Sequence, residues 1–141
     1  MKKILLLAAA AAVTAAAVFV IRSFIPDSDE PEEVFVSAAT ADERKEYFAI
    51  HGWETAEISC RDIVIPAVFS DEYEEYAVMQ DRQGLPLRKY SGRNGRLYVY
   101  EVKNYSPENR KMLAELLVCD DIAVASMVYS EDGGSIRIPV Q

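Results

Sequence analysis

The side chains that could do chemistry in this 141-residue chain are few: one histidine, His51, two cysteines, Cys60 and Cys119, and 23 carboxylates. A histidine with no second histidine or cysteine close in sequence is a poor start for a metal centre, because zinc needs a full set of such ligands. His51 falls at the end of an expected helix, where a cation meets the negative end of the helix dipole, so it reads as a cap. Neither cysteine belongs to a C-x-x-C pair. Both fall in expected strands, where a free thiol packs as a small hydrophobe. Two buried thiols are the expectation, with a disulfide as the alternative that an exported chain would permit. The adjacent acids Glu74-Glu75 and Asp120-Asp121 invite comparison with the carboxylate pair of a glycosidase, but they fit a solvated helix face and a turn. G-x-S-x-G, H-E-x-x-H, G-x-x-x-x-G-K and G-x-G-x-x-G are all absent. The chain is therefore expected not to be an enzyme, with no catalytic residue, cofactor or metal.

The tyrosines are more suggestive. Tyr98 and Tyr100 share one face of an expected strand, and Leu97 and Val99 share the other. Tyrosine combines large area with a hydrogen-bonding tip at low entropy cost, which suits a peptide or glycan surface. Tyr98, Tyr100, Tyr90 and Tyr105 are the candidate binding surface, with core and boundary aromatics as the alternative reading of the same residues.

The elements that would position these groups can be read in order. Thr40 with Glu43 forms a capping box that opens a short helix closed by Gly52. Residues 54–66 read as extended and stop at Pro66. Ser70 caps a second helix over 71–83, with Asp71, Glu72, Glu74 and Glu75 in the turns where the dipole favours anions. Gly84 closes it. Residues 96–104, RLYVYEVKN, are an aromatic and β-branched alternation typical of a strand. Residues 106–119 are ambiguous locally: Ser106, Pro107 and the spacing of Met112, Leu113, Leu116 and Leu117 favour helix. The tail beyond them reads as a strand meander. The fold class is α+β, with two helices packed on one face of an antiparallel sheet, preceded by a single N-terminal apolar helix.

FAIHGW (48–53), IVIPAVF (63–69), YEEYAVMQDRQGLPL (73–87), KYSG (89–92) and LYVYEVKNY (97–105) together resemble a family of uncharacterised bacterial domains. That family of unknown function sits at the C-terminal end of short exported or membrane-anchored proteins of Gram-positive bacteria. The resemblance covers residues 44–140 and implies a strand after the N-Y element, so residues 112–119 are read as strand against their helical spacing. Beyond Cys119 the chain departs from the family pattern, with Ala123, Val124, Ala125 and Ser126 where a Gly-rich segment with an acid is usual. The family carries no assigned activity, cofactor or catalytic residue, so the resemblance implies fold and address alone.

The address is carried by the first 26 residues. Lys2 and Lys3 precede an uncharged apolar run over residues 4–21, which Arg22 and Pro26 close. As a helix rising about 1.5 Å per residue it nearly matches the ~30 Å hydrocarbon core of a bilayer. Residues 1–26 are a signal anchor or a cleavable signal peptide, and no cysteine follows for lipid attachment. The two leading lysines outweigh Arg22, so the remainder faces outward. Residues 27–39 form an acidic linker and 40–141 the extracytoplasmic α+β domain. All 23 acids follow Pro26, while three of the 15 cations precede it, leaving the outer part near −11. Such charge repels phosphate-rich polymers and excludes nucleic acid as a partner. The expected function is a non-catalytic, membrane-tethered extracytoplasmic binding module of the cell envelope, partnered by the membrane through residues 4–21 and by an envelope protein or glycan. The alternatives are a structural or signalling subunit of a membrane complex and, less favoured by the motifs, a hydrolase-type enzyme.

Overall fold

The computed structural model describes residues 35–141. The apolar run at 4–21 and residues 27–34 of the acidic linker lie outside the described residues. Among the described residues no helix is long and apolar enough to cross a membrane.

A five-stranded antiparallel sheet runs in simple sequence order: β1 (Thr55–Val64), β2 (Asn94–Val102), β3 (Met112–Cys119), β4 (Ile122–Ser130) and the short β5 (Arg137–Ile138). Helix α1 (Ala41–Ala49) precedes β1, and α2 (Asp71–Arg82) lies between β1 and β2. The capping box at Thr40 and Glu43 is fully formed. Ser70 caps α2 through the Tyr73 amide. Residues 112–119 are strand, as the resemblance implies, and Pro107–Asn109 form only a 3-10 turn before it.

The α+β class is as expected, yet the helices do not share a face. Alternate residues of a strand point to opposite sides of the sheet. Tyr98, Tyr100, Leu116 and Val118 form one core with Tyr47 and Phe48 of α1, whereas Leu97, Leu117 and Cys119 form another with Ala77 of α2. The sheet is therefore sandwiched between the two helices. Its central strands β2 and β3 are apolar on both sides, as a strand covered on both faces must be.

The boundary at residue 40 also moves. Val36 accepts from the Ala123 amide at 2.9 Å, Ala38 donates to Asp121 at 2.8 Å, and Ala38 is buried. Residues 36–39 belong to the folded domain, because they cover the outer side of β4 where β5 does not reach. The rest of that side is closed by side chains. Gln80 Oε1 accepts from the Ser126 amide at 2.8 Å, and Gln83 Nε2 donates to the Ser126 carbonyl at 3.0 Å. Gln83 Oε1 also accepts from the Val140 amide at 2.8 Å, fastening the C-terminus. Two glutamines from the end of α2 thus take the place of a missing partner strand.

Candidate functional site

The tyrosines singled out from the sequence do not form a surface. Tyr98 and Tyr100 retain only 8% and 2% exposure, because β2 lies inside the sheet beneath α1. The Arg44 guanidinium lies 3.9 Å from the centre of the Tyr98 ring, and the Phe48 ring lies 4.8 Å from that of Tyr100. Arg44 also pairs with Glu57 at 3.7 Å, and the Tyr100 hydroxyl donates to Glu57 at 3.4 Å. Burial, reinforced by Glu57, holds the Tyr100 hydroxyl above its ordinary pKa. Tyr90 is buried in the core on the opposite face. Tyr105 is partly exposed against the Trp53 ring, 5.7 Å away. The expected aromatic surface is overturned: its members are core on two different faces, with one at a loop.

The other candidates stay apart as well. His51 leans its ring on Tyr47 at 5.4 Å. Both cysteines are free, but only Cys119 is buried, so the expectation of two buried thiols fails at Cys60. Cys60 sits opposite Tyr98 and Cys119 packs with Leu117, which puts the thiols on opposite faces of the sheet, where they cannot bridge. Glu74 is clamped by Arg88, which also binds Asp81. Asp120 and Asp121 make the two-residue turn between β3 and β4, both with positive φ. Among the described residues no group of three or more His, Cys, Asp or Glu is placed to hold a metal ion.

What the structure does assemble lies on the α2 face. Glu115 projects from the middle of β3 toward α2, opposite Val99 of β2 and Met127 of β4. Helix α2 roofs it with Tyr73, Tyr76 and Met79, while Tyr129 and Arg137 carry the same face outward past the helix. Between helix and strands runs a groove of about 620 Å³, with Glu72, Glu75 and Glu131 on its rim. Burial pushes the Glu115 carboxyl above the usual range, opposed by the neighbouring Tyr76 hydroxyl and by the more distant Arg61 and Arg137. Tyr76 is driven far above its ordinary value by its own burial and then by Glu115, so its hydroxyl stays protonated. Burial followed by Glu115 also raises Tyr73 and Tyr129. Glu115 thus acts on three tyrosines of the groove, in each case second to burial.

Glu115 has no ion-pair partner among the described residues. A larger opening, about 750 Å³, lies at the far end of the strands, but two of its acids are already matched: Asp62 by Arg96 and Asp120 by Arg93. The α2 groove is the better candidate because its central charge is unmatched. Sequence reasoning passed over Glu115, although the signal was present. MLAELLVC is an apolar strand interrupted by one acid, and a charge within a covered strand is costly unless something uses it.

Compared with protein-family models, curated proteins and solved structures, the chain matches none.

Proposed function

We propose that this chain is a non-catalytic binding module, tethered to the outer side of a bacterial membrane by residues 4–21, that presents the α2 groove to an envelope protein. The tether is supported by the leader's charge and length and by the resemblance to anchored bacterial domains. The groove is supported by one observation above the rest: a half-buried carboxylate lined by aromatic and methionine side chains, with no ion-pair partner among the described residues. Recognition sites are concave and largely apolar, with a few convergent polar groups. Met79 and Met127 add adaptable surface that can accept more than one shape.

Two measurements test this reading. Carbonate-washed membranes should retain the full chain, and its recovery as a soluble, untrimmed polypeptide would end the tethered reading. A photo-crosslinking residue in place of Met127 should form an adduct in the chain's own membrane, whereas one in place of Glu46 on the outer side of α1 should not. Equal labelling from both positions, or from neither, would remove the groove from the function.

A further inference from the structure

The two faces of the sheet carry matching sets of side chains that differ in one member. On the α1 face, Tyr98, Tyr100 and Glu57 surround the Arg44 guanidinium, which lies over one ring and pairs with the carboxylate. On the α2 face, Tyr76, Tyr129 and Glu115 form a comparable set in which no guanidinium among the described residues pairs with the carboxylate, Arg61 and Arg137 acting on it only from longer range. Arg137 lines the same groove, but its Nε is held by the Gly134 carbonyl at 3.1 Å and it forms no ion pair with Glu115. We propose that the groove takes a cationic side chain, arginine above all, from a partner polypeptide, which completes on the α2 face what Arg44 completes on the α1 face.

The chemistry favours that occupant. A guanidinium is planar, weakly hydrated and forked, so it can stack on a tyrosine and meet a carboxylate at once. The rim acids Glu72, Glu75 and Glu131 would draw a basic segment in, and the chain's net charge of −8 acts in the same sense. An anionic ligand would meet these acids and leave the half-buried Glu115 unmatched.

The inference rests on the groove being the recognition surface, and the test separates the two. The full chain in detergent micelles is titrated by NMR with a short arginine peptide, a lysine peptide and a citrulline peptide. Citrulline keeps the shape of arginine without its charge. The arginine peptide should shift the Met79 and Met127 methyl signals saturably at millimolar concentration, with citrulline weaker by about tenfold or more. Glu115→Gln should weaken the arginine peptide by a similar factor and leave the citrulline peptide unchanged. Binding should also weaken as salt is raised. Equal binding of arginine and citrulline peptides at these methyls would overturn the cation while sparing the groove. Shifts confined to residues outside the groove, or no shift from the arginine peptide, would overturn the inference, and adduct formation through Met127 then decides whether the groove itself survives.

Discussion

At the scale of single residues, Glu115 and Gln83 carry the clearest consequences. Burial raises the Glu115 carboxyl above its unfolded value, so the native chain holds a proton that the unfolded chain has released between those two values. Stability attributable to this group therefore falls as pH rises through that window and is regained as pH drops back through it. The groups that face it are Tyr76 and Tyr73 from α2, Tyr129 from β4, and Arg61 and Arg137 at longer range. Glu115→Gln should raise the urea midpoint at neutral pH and flatten its dependence on pH. An unchanged pH profile would show that Glu115 is not the group responsible. A substitution that stabilises the fold while weakening peptide binding is the usual mark of a residue kept for use. Gln83 is the opposite case. It serves the Ser126 carbonyl and the Val140 and Gln141 amides at once, the last at 3.3 Å. Gln83→Ala would leave these buried groups without partners and should cost about 3 kcal/mol, measured by denaturant unfolding. Amide exchange at Val140 should accelerate in the same variant.

Among the elements, the hairpin joining β3 and β4 turns through two non-glycine residues in the left-handed region, Asp120 at φ 49° and Asp121 at φ 62°. A two-residue hairpin turn wants that twist, but glycine adopts it with less strain. Asp121→Gly leaves the Ala38 hydrogen bond to the residue 121 carbonyl in place and should stabilise by about 1 kcal/mol, seen as a higher unfolding midpoint. Gly95 is fixed for a different reason. A Cβ there would lie 2.8 Å from the Cys119 sulfur, so the strands approach closely only because that side chain is missing. The caps of both helices, the strand 96–104 and the strand character of 112–119 were legible in the sequence because each depends on local spacing or on the quoted motifs. The placement of the helices is not legible in the sequence, because an alternation of tyrosine with leucine and valine fits one covered face as well as two. Tyr98 and Tyr100 are as apolar in use as Leu97, and LYVY followed by ELLVC describes strands covered on both sides. The groove was missed because it is made by residues from α2, β3 and β4, which only the meander brings together.

For the molecule as a whole, the two sides of the sheet are finished differently. Beyond β4 the backbone is occupied in turn by Val36 to Ala38, by the two glutamines of α2 and by β5. Nothing among the described residues pairs with the outer side of β1, which is exposed along most of its ten residues and interrupted by a bulge near Ile58. Its Glu57, Arg61 and Asp62, together with that bulge, discourage casual pairing. Polymer growth by strand addition needs two competent ends, and among the described residues β1 is the one long open edge, since β5 on the other side has only two residues. A second molecule meeting β1 through its own β1 would consume both reactive ends and leave a dead end. Concentrating the protein should therefore give, at most, a discrete pair in sedimentation, whereas a ladder of larger species would mean that the glutamine stopper at Ser126 does not hold.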